Sequence, residues 1–331
     1  MGSIKRQVFG AGYVSKYRTE LMGIAALWVL AVHALDFGIR LPGKLAVIEK
    51  LMSYGQVGVD MFFFLSGIGI FYSLGKETKL TLFYGKRLKR VYFPYLAIAF
   101  PCLVIIGLLG KFDVWAVVGE LSTVSYWVAG RGAWYVAVIL FLYALSPLYY
   151  RIYSLSGHKG LCTLVTVIVC TGASMVLKSL SLGVFVQLGS ALERAPVFVV
   201  GFWFAEMIRQ DKSINPIWIV LMLISVPARS FLNLPADHII VTLTIELWGI
   251  AVCFIFGTLL EVKWIYRIVG KILFFLGTCS LEIYLLNIYI ALIAQELMTT
   301  FSIENVVLMY TADVLLSIGI GLICSRIEKR I

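Results

Sequence analysis

His33 stands in the apolar run AALWVLAVHALDF and is one of only three histidines in the chain. An imidazole titrates near neutrality, which suits it to take a proton from a hydroxyl. An ionisable side chain inside a bilayer is costly and therefore a functional candidate by default. On these residues alone, a packed histidine bonded to a neighbouring helix fits equally well. Asp60, in GQVGVDMFFFLSGIGIFYSL, is a carboxylate that orients such an imidazole or balances a buried cation, and capping of a helix end at the outer interface is as simple a reading. Around it Gly55, Gly58, Gly67 and Gly69 let backbones approach closely or let the helix break.

Arg87 and Arg90 are spaced i, i+3, so on a helix they share one face, and two guanidinium forks side by side suit a phosphate. They belong to the densest basic cluster, with Lys76, Lys79, Lys86 and Lys89. Its two readings are a topology anchor that also attracts anionic lipid and an anion site for a phosphorylated cytosolic substrate. Later polar insertions are Glu193 and Arg194 in SALERAPVFVVGFWFAE, Glu246 in TLTIELWG, and Glu282 with Asn287 in CSLEIYLLNIY. Each could be a structural pair between helices, and for Glu246, with no motif around it, that is the expectation. Tyr126, Trp127, Trp134 and Tyr135 read as an aromatic interface belt.

The elements that must position these groups are membrane helices. Of 331 residues 61% are hydrophobic and 14% charged, with mean hydropathy +0.95, far from the usage of soluble domains. The expected fold is an all-α integral membrane protein with about ten transmembrane helices and short loops, one transmembrane domain over residues 1–331 and no room for a sizeable soluble domain. Spans are predicted near 20–40, 56–75, 92–110, 134–153, 161–179, 190–209, 214–231, 238–260, 274–298 and 304–325. Residues 112–129, which hold Asp113, Glu120 and two tryptophans, are too polar for a span and are expected to be re-entrant or interfacial. The larger share of the 28 Lys and Arg residues falls on the side of the N-terminus and the even-numbered loops, so both termini are expected in the cytoplasm. The six cysteines show no metal-ligand spacing and read as buried small hydrophobes. No metal and no nucleic-acid partner is expected; the bilayer itself is the surrounding partner.

In order along the chain, ELMGIAALWVLAVH, VGVDMFFFLSG, FYGKRLKRVYFPY, AWYVAVILFLYALSP, ERAPVFVVGFWFAE and LGTCSLEIYLLN resemble consecutive blocks of the membrane-bound acyltransferase type 3 family. That family moves acyl groups from cytosolic acyl-CoA to sugars and other acceptors at or beyond the membrane. The resemblance implies that His33 is the catalytic histidine, and the expected mechanism has Asp60 or a neighbouring polar group fixing its tautomer. It implies that Arg87 and Arg90 form an Arg-x-x-Arg site for CoA phosphates, and that Trp134 and Tyr135 line the acyl or acceptor route. Glu193, Arg194 and Glu282, polar residues within the later blocks, are candidates for contact with substrate. Many members carry an Arg eleven positions before the histidine; here that residue is Met22, and Arg18, one turn below, could supply the charge, paired with Glu20. A His often stands where this chain has Asn287, which leaves His33 as the candidate base.

The resemblance also implies acetyl-CoA or another acyl-CoA as co-substrate, a sugar or other hydroxyl acceptor, and a bacterial cytoplasmic membrane. Without an extra extracytoplasmic domain, the chain is expected to acylate its acceptor directly or to hand the group to a separate acyl-accepting protein. The alternative from another class is a proton-coupled secondary transporter with His33, Asp60, Glu246 and Glu282 as a relay, although no paired halves with broken helices are present.

Overall fold

In hydrocarbon each backbone N–H and C=O must find its partner within its own segment, so long apolar runs become helices. The computed structural model describes residues 9–77, 79–110, 113–180, 183–229, 234, 238–302 and 304–328, and no β-strand occurs among them. Ten apolar helices carry the fold: α1 Arg18–Asp36, α2 Gln56–Lys76, α3 Phe93–Leu109, α4 Trp134–Leu155, α5 Lys159–Ser179, α6 Ala195–Arg209, α7 Pro216–Arg229, α8 Ile239–Leu260, α9 Ser280–Phe301 and α10 Val306–Glu328. Among the described residues nine helical runs are long and apolar enough to cross a membrane. The exception is α7. Its apolar stretch Pro216–Ala228 covers about 20 Å of a hydrocarbon layer of about 30 Å, and residues 230–231 of the span predicted there lie outside the described residues.

The chain nevertheless runs out and back through α7 and α8. Ser213 bridges to Gly10 before α7, and after α8 Glu261 accepts a 2.7 Å bond from Lys16 Nζ, so both loops sit at the end of the bundle where α1 begins. The last turns of α10 return there too, because Ser325 Oγ donates to the Thr278 carbonyl at 3.0 Å and Tyr266 OH reaches Glu20 at 3.1 Å.

Helix α2 is apolar on every side, which marks a helix enclosed by others: 15 of its 21 residues are buried, and it packs against α1, α4, α6 and α8. Backbone touches backbone at two crossings. Gly201 of α6 lies against Gly67 of α2, and a Cβ added at Gly201 would stand 2.5 Å from the Phe64 carbonyl oxygen. Gly277, just before α9, likewise meets the Thr19 carbonyl of α1. The glycines around Asp60 thus serve close approach, and the helix is unbroken.

Residues 113–129 cross nothing. They form two short helices, Val114–Leu121 and Val124–Ala129, with Thr123 between them at φ 63°. Glu120 ties the segment to the bundle: its Oε1 accepts from Ala133 N at 3.0 Å and from Tyr289 OH at 2.8 Å, and Tyr95 OH donates to its carbonyl at 2.6 Å.

Gly201→Val is expected to destabilise the protein by about 1–3 kcal/mol or more through overpacking, whereas Gly172→Ala, which meets no atom within 4 Å, changes little. Thermal unfolding of detergent-solubilised protein checks both, and equal effects would remove the backbone contact as a determinant of the fold.

Candidate active site

Pro94 has no N–H to give the preceding turn, and the five residues ahead of α3, Leu88–Tyr92, wind as a π turn. Such turns are frequent at functional sites. Arg87 ends the helix before it and Arg90 lies within it, so the i, i+3 pair straddles a π turn instead of one regular α-helical face. Both still line one cavity of about 1090 Å³. Arg18, Lys86 and Lys89 join them on its wall. Arg87 Nη2 donates to Ser73 Oγ at 2.7 Å, its guanidinium lies over the Phe83 ring at 5.5 Å, and its buried Nε has no hydrogen-bond partner.

Arg18 does not pair with Glu20, which accepts from Tyr266. Its Nε donates instead to the Leu65 carbonyl at 3.0 Å. Gly69 makes the space for it, since a Cβ there would stand 2.8 Å from Arg18 Nη2. Met22 lines the same cavity one turn further along α1. The wall also holds aromatic rings, Phe62, Tyr135, Tyr143 and Tyr284, and Glu282, and Arg87 lies over the Tyr143 ring at 6.0 Å. The Tyr135 and Tyr284 rings meet at 5.3 Å, and the Tyr284 hydroxyl is buried without a partner.

His33 lies in the last turn of α1, about 22 Å along the axis from Arg18, and outside the cavity lining. Its partner is not Asp60. Nδ1 of His33 is hydrogen-bonded to Asn287 Oδ1 of α9, and Asn287 Nδ2 donates to Asp313 Oδ2 of α10 at 2.7 Å. Asn287 follows the cavity-lining Tyr284 by three residues, about 4.5 Å along α9, so one helical turn separates the cavity from the group that holds the imidazole.

Asp60 is fully buried and ion-paired with Arg194, Nη1 to Oδ1 at 2.9 Å. It balances a cation rather than orienting His33. Glu246, also buried, lies near enough to act on the charge of Arg194. Asp60 Oδ2 and Glu246 Oε1 have no hydrogen-bond partner. Glu193 accepts from Lys178 at 2.6 Å, and Trp134 stacks over Arg194 at 6.0 Å, outside the cavity lining. Of the residues singled out in the sequence, the cavity gathers Arg18, Arg87, Arg90, Tyr135 and Glu282. The buried charge cluster gathers Asp60, Glu193, Arg194, Glu246 and Trp134, and His33 stands apart from both. Sequence reasoning gave no role to Asp313 or Glu120. The only signal was an acid within an apolar run, VLMYTADVLLS, for Asp313.

Among the described residues no group of histidine, cysteine and acidic side chains is placed to hold a metal. Residues 21–326 match the family model described as an acyltransferase domain. No curated protein and no solved structure gives a match.

Removing one partner of a buried ion pair strands the other, so Asp60→Ala is expected to cost about 3–5 kcal/mol. The isosteric apolar pair Asp60→Leu with Arg194→Met should recover most of it. A double variant no more stable in thermal unfolding than Asp60→Ala alone would mean that the pair does not act as a unit.

Proposed function

Because the chain belongs to the acyltransferase 3 family and is a multi-pass membrane acyltransferase, we propose that it transfers an acyl group, acetyl by family frequency, from cytosolic acyl-CoA to a hydroxyl. The acceptor is a sugar or another hydroxyl-bearing molecule on the far side of the membrane, reached directly or through a separate acyl-accepting protein. The membrane is the cytoplasmic one, with the basic end of the bundle inward, following the bias of Lys and Arg toward that side.

One observation supports this reading most: a cavity of about 1090 Å³ lined both by the cations Arg18, Lys86, Arg87, Lys89 and Arg90 and by aromatic rings. CoA has both needs, with phosphates at one end and a long, weakly polar arm ending in the thioester. Guanidinium forks hold phosphates in pairs of hydrogen bonds, and Arg87 and Arg90 both line the cavity. Arg18, its guanidinium on the wall where Met22 offers none, supplies the charge that many relatives place eleven positions before the histidine.

The thioester must travel past Tyr135 and Tyr284 toward His33, so loading of the donor is expected to part these two rings. His33 then takes the proton from the acceptor hydroxyl. The acceptor oxygen attacks the thioester carbonyl, the new C–O bond replaces the C–S bond, and the departing CoA thiolate receives the proton back from His33. The base works about 22 Å from the basic end, in the half of the layer nearer the acceptor.

In proteoliposomes supplied with acetyl-CoA and a mixture of sugar acceptors, His33→Ala is expected to lower release of free CoA by about 100-fold or more while leaving CoA binding intact. Arg87→Ala with Arg90→Ala should weaken CoA binding by about tenfold or more, from the loss of charge-assisted bonds of about 1.5–3 kcal/mol each. Folded wild-type protein that neither binds nor turns over any acyl-CoA would overturn the assignment.

A further inference from the structure

We infer that Asn287 and Asp313 are positioning residues that hold His33 with its proton on Nδ1 and leave Nε2 as the proton-accepting atom. The inference rests on the reading of His33 as the base.

The direction of the hydrogen bonds carries it. Asp313 is 1% exposed and Asn287 0%. With Asp313 ionised, its carboxylate only accepts, and it takes two bonds, from Ser317 Oγ at 3.0 Å and from Asn287 Nδ2 at 2.7 Å. That fixes the amide: with its NH2 turned to Asp313, Asn287 offers only its carbonyl oxygen to the imidazole. A carbonyl oxygen accepts, so the ring atom facing it, Nδ1, must carry hydrogen. The lone pair of the neutral ring is then on Nε2. Asp313 thus acts through a neutral amide, without placing a second charge against the imidazole. The same face of α10 is secured to α1 by Tyr310, whose hydroxyl donates to the Leu30 carbonyl and whose ring meets Phe37 at 5.1 Å.

The other titratable groups around this end of α1 are Asp36 on α1 itself, Glu49 and Lys50 from the short helix Ala46–Met52, and Arg40. These four line a separate polar cavity of about 450 Å³. The hydrogen bond described for the imidazole goes to Asn287.

The test uses full-length protein labelled with 15N-histidine in nanodiscs, the His33 signals being assigned by their loss in His33→Gln. Wild type is expected to show neutral His33 protonated on Nδ1. Asp313→Asn, which keeps shape but frees the amide to turn, is expected to show both tautomers. It should also lose about 100-fold in kcat with the KM for acetyl-CoA within about twofold, since a base in the wrong tautomer loses its general-base contribution. The swap of Asn287→Asp with Asp313→Asn keeps an acceptor beside Nδ1 and a donor behind it. It is expected to restore the Nδ1 proton and most of kcat. It also places a carboxylate against the imidazole, which favours the charged ring, so the acidic limb of the pH profile moves to higher pH.

An Nδ1 tautomer unchanged in a folded Asp313→Asn protein would overturn the inference, and so would a folded swap variant as impaired as the single one. A tautomer that depends on Asp313 in a protein without acyl transfer would uphold the positioning and defeat only the acyltransferase reading.

Discussion

A polar side chain inside hydrocarbon has no water to turn to, and the groups that tie this bundle together take partners from other helices. The arrangement of the molecule follows from that constraint. His33 of α1 reaches Asn287 of α9, and Asn287 reaches Asp313 of α10. Asp60 of α2 reaches Arg194 at the start of α6, and Glu120 collects Tyr289 and Ala133. Each contact fixes two elements whose apolar surfaces, as apolar as the lipid around them, say little about register. Packing then closes the remaining gaps through glycine, so that α2 can touch α6 backbone to backbone.

Two kinds of electrostatics are segregated along the same bundle. At the basic end, Arg87 and Arg90 face a cavity, and Arg90 is exposed; their charge is available to an anion. Deeper in, Arg194 is spent on Asp60 with Glu246 beside it and is enclosed on all sides. A buried pair of this kind adds less to stability than its Coulomb energy suggests, because both ions must first lose water. Its clearest effect is to dictate which helices meet. The two sets of arginines therefore belong to different tasks, although in the sequence both stand beside aromatic residues and proline.

The separation of His33 from the cavity bears on how transfer could be controlled. One turn of α9 lies between Tyr284, which lines the cavity, and Asn287, which holds the imidazole. In the reaction proposed, a donor held away from its base until both rings of the Tyr135–Tyr284 pair move would also be kept from water, since closure of a site excludes side reactions.

The sequence by itself determined the class of fold, nearly all of the spans, the polar interruption at 112–129 and the basic end, because hydrophobicity and charge act locally and are written in consecutive residues. It also carried the ordered motifs that match an acyltransferase domain over residues 21–326. Only the tertiary structure decided which polar group met which. Asp60 sits 27 positions from His33 in sequence but binds Arg194, which is 134 positions away. The imidazole's partner is 254 positions away. Such pairings depend on how helices are arranged around α2, and no local pattern encodes that. Asp313 gave only the faint signal of an expensive acid alone in its run, and it meets its partner only because α9 and α10 lie side by side and Asn287 Nδ2 reaches its Oδ2.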